Sequence, residues 1–546
     1  MSTTTVDQNQ EEEPSLARAS GSMAVATLVS RITGFVSKLL LGAVIGLSAG
    51  AINDSYTVAN TVPNIIYELL LGGVLTSVVV PLLVRARHED PDGGQEYTHR
   101  LLTVSLTMLL GMTVLAVAAA PLLTKLFVDS SSGNGNPALV TAFAYLLLPE
   151  ILFYGLFAML GAILNTRNVF AAPAWAPVLN NVTLLLTIGA YFVLPGDIAT
   201  NPVHITDLKL LVLGAGTTLG IVIQAAVLIP PLLRSGYRPR WVWGWDKRLS
   251  EFGGLALWVI GYVVVSQIGY ITITRVGTNA APGSITIYTY SWLLVQMPYG
   301  VLGVSLLTAI MPRMSKAAAT KNIPALLDDL SLGSRMSAVM LAPISALMTV
   351  LGPALAVAIT VFGKGGSDAP RLGLAITASA FGLLPYALTM LQMRVFYAMK
   401  DSRTPTLINA VMITLKVPVV LLAAQLLPPS QVVFGLTFSD AICFTLGVLV
   451  GELWLRKRFG RLGSRRVVRT YVKVAVAAVW GAAVALVVEL GVRTYIPGGI
   501  HGALGAFTSL IVGGILGLLA AFGMMALLRV HELKPALDKI TSLVRR

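Results

Sequence analysis

The sequence lacks several features that soluble proteins rely on. It has one cysteine, Cys443, in 546 residues, so neither a disulfide framework nor a cysteine-based metal site can form within one chain. Charged residues make up only 12% of the chain, whereas soluble domains have about a quarter. A chain this long with so few charges cannot cover a water-facing surface, so lipid is its expected solvent.

The sequence also lacks the common motifs of soluble enzymes. No Walker A motif occurs, because the nearest match, Gly363-Lys364, is followed by Gly365 rather than Ser or Thr. No His-Glu-x-x-His motif and no nucleophile elbow are present, and the five histidines lie in loops or near the ends of apolar runs. An ATPase or a soluble-type hydrolase is therefore unsupported. We expect a protein that is not an enzyme and that has no cofactor.

Long apolar runs dominate what is present. Hydrophobic residues make up 55% of the chain, the mean hydropathy is +0.78, and about 20 apolar residues span a bilayer core. We predict an all-α polytopic membrane protein with fourteen transmembrane helices, numbered spans 1 to 14, at 24–49, 55–85, 101–127, 138–165, 173–195, 208–233, 249–275, 284–312, 333–362, 371–398, 404–427, 431–455, 470–491 and 502–529.

The net charge of +14 follows from topology. Lys and Arg cluster in the loops after even-numbered spans, most densely between Arg456 and Arg469, and are sparse in the other loops. Since cytoplasmic loops carry the positive excess, both termini are predicted to be cytoplasmic, and nucleic acid is not an expected partner. The first 23 residues include Glu11 to Glu13 and lack the pattern of a signal peptide. They are predicted to form a disordered cytoplasmic tail.

Short repeats relate spans that are six apart. Ser30–Phe35 resembles Ser266–Tyr270, Tyr56-Thr57 resembles Tyr288-Thr289, and Ala176–Asn181 resembles Thr404–Asn409. An offset of six preserves orientation, so we predict two pseudo-symmetric six-helix lobes related by an axis along the membrane normal. The predicted organisation is a tail at 1–23, an N-lobe at 24–235 (spans 1–6), a C-lobe at 236–456 (spans 7–12), spans 13 and 14 with the preceding basic loop at 457–530, and a cytoplasmic tail at 531–546.

Polar residues inside the spans are the candidate site, because an intramembrane charge costs about 2.5–3.5 kcal/mol on insertion scales. We predict that cationic and polar groups line a cavity for an anionic substrate: Arg31, Lys38, Asp54, Asn64, Glu68, Gln267 and Arg275. The alternatives are that Lys38 and Arg275 reach to an interface, or that Arg31 and Glu68 merely join two helices. Lys416 and Asp440 lie deeper. They are predicted to pair between spans 11 and 12 and are candidates for ion coupling.

Several longer motifs carry a family resemblance. Gly161–Pro177 (GAILNTRNVFAAPAWAP) resembles the signature of the MurJ/MviN family of lipid II flippases. Further matches are Asn53–Asn64, Pro298–Val304 and Phe396–Pro405. The resemblance implies the multidrug/oligosaccharidyl-lipid/polysaccharide exporter fold and transfer of undecaprenyl-linked lipid II to the outer leaflet by alternating access. It also implies a groove by spans 13 and 14 for the polyprenyl tail, and membrane potential or a coupling ion as the energy source.

The resemblance is incomplete at the site. Arg31 and Asp54 match the family's first cavity arginine and its aspartate in span 2, but other family arginines fall on Ser37, Tyr67 and Leu293. The cationic cluster is therefore thinner than in the family, and Lys38 and Arg275 are candidates to compensate.

Two other functions remain open. One is a flippase for another polyprenyl-linked oligosaccharide, or a cation-coupled exporter of the same superfamily. The other is a scaffold for cell-wall synthases that transports nothing. The expected location is a bacterial plasma membrane, and the expected partners are lipid II and proteins of cell-wall synthesis or division.

Overall fold

The computed structural model describes residues 13–47, 52–69, 79–128, 135–244, 253–361, 363, 366–399, 401–460 and 464–533. Regular structure in these ranges is helical. The α-helices are α1 Glu13–Ile45, α2 Ile52–Leu69, α3 Val80–Glu89, α4 Gln95–Ala118, α5 Ala120–Phe127, α6 Pro137–Leu147, α7 Glu150–Thr166, α8 Ala171–Val193, α9 Leu208–Ala226, α10 Ile229–Arg234, α11 Gly253–Ala280, α12 Ser284–Pro298, α13 Val304–Ala319, α14 Ile323–Thr360, α15 Ala369–Ala380, α16 Leu383–Ala398, α17 Arg403–Leu426, α18 Val432–Phe459, α19 Ser464–Tyr495, α20 Ala503–Thr508 and α21 Gly514–Leu527.

Many of these helices are long and apolar enough to cross a membrane. Within the described ranges eleven segments meet this criterion, or twelve if α15 and α16, bent by 44°, form one span. These twelve overlap twelve of the predicted spans. The two other predicted spans, 55–85 and 249–275, overlap α2 with α3, and α11. The all-helical, multi-span prediction is confirmed, and the count of fourteen stays a prediction.

Large apolar side chains on these helices face outward. Leu115 is 71% exposed, Val193 81% and Leu519 64%. Water would make such surfaces unfavourable at about 25 cal/mol per Å². A hydrocarbon solvent removes this cost, so the exposed apolar faces agree with a membrane environment.

Two predicted spans are broken by prolines. The run 101–127 divides into α4 and α5 beside Pro121, and the run 138–165 divides into α6 and α7 beside Pro149. Proline lacks the backbone N–H that would continue the helical hydrogen-bond ladder. The second break matters for the site, because it places Glu150 in the first turn of α7.

Two helices begin earlier than predicted. Helix α1 starts at Glu13, inside the predicted tail 1–23, whose bounds stay a prediction. Pro14 fits a first helical turn, and Leu16 and Ala17 are good helix formers. Helix α14 starts at Ile323 rather than near 333, since the Asn322 side chain accepts a hydrogen bond from the Ala325 N–H. Both starts extend the helices beyond the apolar runs from which the spans were predicted.

The chain forms two compact units. Unit 1 comprises Met1–Val44, Ser55–Leu126 and Asn136–Ile260, and unit 2 comprises Ile45–Asp54, Phe127–Gly135 and Gly261–Arg546. The core of unit 1 includes Leu82, Phe157 and Leu232. The core of unit 2 includes Phe396 and Met412, together with the buried Cys443. The predicted lobe boundaries stay a prediction.

In each unit, an asparagine at the matching position of the repeat joins equivalent helices. In unit 1, Asn181 of α8 donates through Nδ2 to the carbonyl of Ser30 at 2.8 Å and to the Thr33 hydroxyl at 3.0 Å, both on α1. In unit 2, Asn409 of α17 donates to the Ser266 hydroxyl of α11 at 2.8 Å and to the carbonyl of Tyr262 at 3.1 Å. Asn181 and Asn409 end the matched motifs of spans 5 and 11. The sequence repeat therefore corresponds to a repeated interhelical contact.

Small residues bring α19 and α21 together in unit 2. A methyl group on Gly481 would lie 2.5 Å from the carbonyl oxygen of Gly517. Such an approach is possible only without a side chain at 481, and a methyl group on Gly517 would in turn lie 2.9 Å from the carbonyl oxygen of Gly481.

Candidate functional site

Asn60, Asn64 and Glu68 recur at every fourth position of α2 and define a polar stripe of unit 1. Asn64 donates through Nδ2 to the carbonyl of Asn60 at 2.6 Å and accepts through Oδ1 from the Tyr154 hydroxyl of α7 at 3.2 Å. The Asn60 side chain is buried, and its Oδ1 has no hydrogen-bond partner. The side chain of Glu68, the third predicted member, lies outside the described residues. The stripe thus joins α2 to α7 at Asn64.

The two predicted site cations of α1, Arg31 and Lys38, have different surroundings. Arg31 is exposed, whereas Lys38 is half-buried. Lys38 lies close enough to Glu150 of α7 for an electrostatic interaction within unit 1. The lysine therefore has an acidic neighbour that the prediction did not give it, while the cavity-lining role of both cations stays a prediction.

Glu150 is the polar residue of unit 1 that the predicted site omitted. Its side chain is fully buried, at 0% exposure. The Thr218 hydroxyl of α9 donates mainly to the Leu146 carbonyl at 2.6 Å and lies 3.3 Å from Oε1, which it reaches only weakly. Oε2 has no hydrogen-bond partner. The sequence signal was an acid directly after Pro149 in the middle of predicted span 4. Its neighbours could not be read from the sequence, because they come from α1 and α9.

Lys416 and Asp440 form the predicted ion pair in unit 2. Lys416 of α17 contacts Oδ1 of Asp440 of α18, and the Tyr288 hydroxyl of α12 donates to Oδ2 at 2.8 Å. Both carboxylate oxygens of Asp440 are therefore satisfied. The predicted contact is confirmed, and the ion-coupling role stays a prediction.

The tyrosines of the repeat occupy matching positions in the two units. Tyr56 of α2 hydrogen-bonds through its hydroxyl to the Thr217 hydroxyl of α9 at 3.1 Å in unit 1. Tyr288, its counterpart, reaches Asp440 in unit 2. Helix α9 corresponds to span 6 and α18 to span 12, so this contact also repeats with an offset of six, with Asp440 where unit 1 has a threonine.

Asp54 is buried in unit 2 and caps the start of α12. Its Oδ2 accepts from the Gly283 N–H at 2.8 Å. Its Oδ1 accepts from the N–H of Thr286 at 2.8 Å and from its hydroxyl at 2.7 Å. A carboxylate is favourable at a helix N-terminus, where backbone N–H groups lack partners. Asp54 thus has a positioning role beside the predicted binding role.

The predicted site residues of α11 lie in unit 2. Gln267 is half-buried, and its Oε1 has no hydrogen-bond partner. Arg275 is exposed on the same helix. Their part in binding stays a prediction.

Two of the positions where family arginines are missing are packed tightly in unit 1. Ser37 is fully buried and donates to the carbonyl of Thr33 at 2.8 Å and to that of Asn181 at 3.4 Å. The Tyr67 ring lies 4.4 Å from the Tyr154 ring. An arginine would disrupt either contact, so the packing at these two positions does not accommodate the arginines that the resemblance implies. Leu293, the third position, is half-buried on α12.

A polar cavity of about 270 Å³ lies between the α3–α4 loop and the end of α7, lined among others by Arg87, Asp92 and Arg167. Arg167 donates to the carbonyl of Ser235 at 3.0 Å and lies over the Tyr237 ring. Burial, and then the charge of Arg87, lower the pKa of Arg167, while burial raises the pKa of Tyr237 to about 12. These groups tie loops of unit 1 together. Sequence reasoning treated the two arginines only as topology signals.

Among the described residues, no group of three or more His, Cys, Asp or Glu side chains is arranged to hold a metal ion.

Comparison with known proteins identifies relatives along most of the chain. The family described as lipid II flippase MurJ matches residues 43–501. A probable lipid II flippase MurJ of Haemophilus influenzae is 28% identical over 479 residues, which cover 84% of this chain and 90% of that protein. The lipid II flippase MurJ of Burkholderia cenocepacia is also 28% identical, over 81% of this chain and 84% of its own.

Solved structures share the fold. A lipid II flippase MurJ in an inward closed conformation superposes with a TM-score of 0.71 at 18% identity, over 93% of this chain and 99% of the other. An inward-facing multidrug resistance transporter of the MATE family superposes with a TM-score of 0.62 at 15% identity, over 80% and 96% of the two chains. Because the family match spans most of the chain, and a solved member has the same fold, this protein belongs to the lipid II flippase MurJ family.

Proposed function

We propose that this protein moves lipid II, the undecaprenyl-diphosphate-linked disaccharide-pentapeptide, from the inner to the outer leaflet of a bacterial plasma membrane. The family match over residues 43–501 carries this proposal. The curated relatives of similar length bear the same function in their names. The proposed activity is transport rather than a chemical conversion.

Alternating access is the proposed mechanism. Each unit is held together internally by an asparagine between equivalent helices and by a tyrosine reaching a third helix. Such contacts favour units that move as bodies, as required when helix bundles rock around a substrate. The membrane potential would act on the charged substrate and on intramembrane charges at about 2.3 kcal/mol per elementary charge per 100 mV.

The finer assignments belong to the same proposal. We propose fourteen spans, both termini in the cytoplasm, and the lobe boundaries predicted above. Arg31, Lys38, Asp54, Asn64, Glu68, Gln267 and Arg275 are proposed to contact the headgroup. Arg31 supports this best, because it is an exposed cation within an apolar helix, where a diphosphate would find a charge-assisted partner.

A cation-coupled exporter is the second candidate. The likeness to a MATE transporter, with a TM-score of 0.62, favours it, because that protein is a multidrug resistance transporter. The two candidates differ in cargo, so a test of lipid II itself separates them. Cell-wall synthases and division proteins remain proposed partners, and a scaffold without transport is the remaining alternative.

Depletion in the native host tests the function. We expect lipid II to accumulate in the inner leaflet and to become inaccessible to an externally added toxin that cleaves it. Re-expression of the wild-type protein should restore cleavage. Unchanged cleavage after depletion would reject the flippase and favour the exporter or the scaffold.

Complementation then tests the site. Arg31→Ala should fail to restore cleavage although the protein reaches the membrane, because the diphosphate loses a cationic partner. Arg466→Ala, which removes an exposed arginine at the start of α19, is the matched control and should complement. Full complementation by Arg31→Ala would remove Arg31 from the site.

A further inference from the structure

The Glu150 carboxyl group differs from two other buried acids of the helices, Asp440 and Glu489. Glu489 also has an unpartnered Oε2, but its Oε1 is paired with Arg493. Asp440 has a partner for each oxygen. Glu150 has a weak hydrogen bond at 3.3 Å on Oε1 and none on Oε2, although no part of the side chain is exposed. Buried polar groups in proteins are nearly always hydrogen-bonded. An unsatisfied one in the membrane interior therefore calls for an explanation.

Some groups around Glu150 stabilise its charged carboxylate form, and others destabilise it. Lys38 of α1 and the first turn of α7 favour the carboxylate. Complete burial and the unpartnered Oε2 oppose it. The hydroxyl of Tyr56 from α2 and that of Tyr154 on α7 also lie within its electrostatic reach, and Thr218 is the neighbour from α9. A carboxyl group in such a setting can change protonation state when its surroundings change modestly.

Glu150 is also connected to the polar stripe of α2. Tyr154 lies four residues further along α7, so the two side chains share one face of the helix. The Tyr154 hydroxyl donates to Asn64, which in turn donates to the carbonyl of Asn60. A change of charge at Glu150 therefore acts on α1 through Lys38 and lies one helical turn from a hydrogen-bonded chain into α2.

We propose that Glu150 is a proton-binding site of unit 1, which binds a proton and releases it during the transport cycle. A proton from water on one side forms an O–H bond at Oε2 and neutralises the carboxylate. Its release to water on the other side restores the charge and the attraction to Lys38. A metal cation fits less well, because Lys38 already places a positive charge near the carboxylate. This inference rests on the proposed function for its role in transport, but not for proton binding itself.

Infrared difference spectroscopy tests proton binding without transport. The full-length protein in liposomes should show a carboxylic acid C=O band that titrates with pH and disappears in Glu150→Gln. Glu489→Gln is the matched control, because Glu489 is also buried but is paired with Arg493; it should keep the band. Thr218→Val should move the midpoint only slightly to higher pH, because the Thr218 hydroxyl donates mainly to the Leu146 carbonyl and only weakly to the charged form of Glu150. A band that persists in Glu150→Gln, or no titrating band, would overturn the proposal.

Translocation under a gradient tests the coupling. With the membrane potential clamped at zero, the wild-type rate of lipid II transfer should change by up to about tenfold per pH unit of gradient, the limit for one proton. Glu150→Gln should transfer lipid II at the same rate in either gradient, and Glu489→Gln should respond as the wild type does. An undiminished pH response in Glu150→Gln, or a sodium response that this variant abolishes, overturns the proton assignment. If the wild type transfers no lipid II at all, the proposed function fails, and the infrared band alone decides the proton site.

Discussion

The two units bury a lysine and an acid in contrasting ways. In unit 2, Lys416 and Tyr288 satisfy both oxygens of Asp440. In unit 1, Glu150 is fully buried with Oε2 unpartnered, and the nearby Lys38 is half-exposed. A satisfied pair locks helices together, whereas an unsatisfied acid is free to change its charge. The repeat thus conserves the interhelical contacts while the buried charges differ between the units.

Breaking the buried pair of unit 2 should have the largest effect. Asp440→Asn leaves the Lys416 ammonium in the interior without its counter-ion, so we expect a loss of about 3–5 kcal/mol in unfolding free energy. Glu150→Gln in unit 1 should cost much less, since Oε2 makes no hydrogen bond. Urea unfolding of the purified protein in micelles measures both.

The double variant Lys416→Met/Asp440→Leu is the control, because it removes both charges together. It should be more stable than either single variant. Equal losses for Asp440→Asn and Glu150→Gln would contradict the contrast between the units.

The matched asparagines, Asn181 and Asn409, should not show this difference between the units. Removing either one should lower the free energy of unfolding by a similar amount. Asn181→Ala and Asn409→Ala each remove hydrogen bonds to two residues of a neighbouring helix. We expect about 1–3 kcal/mol for each in the same unfolding assay. A large loss in one unit and none in the other would show that the repeated contact is not equivalent.

Removing the hydroxyl of each matched tyrosine, Tyr288 or Tyr56, should lower the free energy of unfolding by modestly different amounts. Tyr288→Phe removes a hydrogen bond to a carboxylate, worth about 1.5–3 kcal/mol, whereas Tyr56→Phe removes one to a hydroxyl, worth about 0.5–1.5 kcal/mol. Unfolding of the two variants side by side should rank Tyr288→Phe as the less stable. The reverse order would mean that Asp440 does not carry its charge beside Tyr288.

The smallest effect concerns two aspartates at helix starts outside the spans. The backbone N–H of Glu96 holds the pKa of Asp92 below its ordinary value. Burial opposes the shift at Asp401, but hydrogen bonds from Thr404 and then Arg458 still lower its pKa. Folding therefore stabilises the charged forms. Their contribution is complete above the ordinary pKa of about 3.9 and is lost as pH falls through the lowered values.

Acid unfolding of Asp401→Ala tests this pH dependence in unit 2. The variant should lose at most about 1 kcal/mol near neutral pH, and the difference from the wild type should shrink below pH 4. A stability difference between Asp401→Ala and the wild type that grows on acidification would contradict a lowered pKa of Asp401. Asp92→Ala should behave in the same way in unit 1.

The sequence predicted the helical spans, the repeat and the contact between Lys416 and Asp440, because these depend on apolar runs and on neighbouring spans. Prolines 121 and 149 broke two spans, since a hydropathy window does not register a missing N–H. The cap that Asp54 supplies to Gly283 and Thr286 joins residues more than 200 positions apart. The surroundings of Glu150 likewise depend on how α1, α7 and α9 pack, which no local pattern records.

Transfer of lipid II by the purified full-length protein tests the central claim most directly. Labelled lipid II would be placed in one leaflet of liposomes and its arrival in the other followed with a cleaving toxin, with and without a membrane potential. The account predicts transfer by the wild type, strengthened by the potential and abolished in Arg31→Ala but not in Arg466→Ala. Transfer no faster than in protein-free liposomes, with the protein folded, would contradict it.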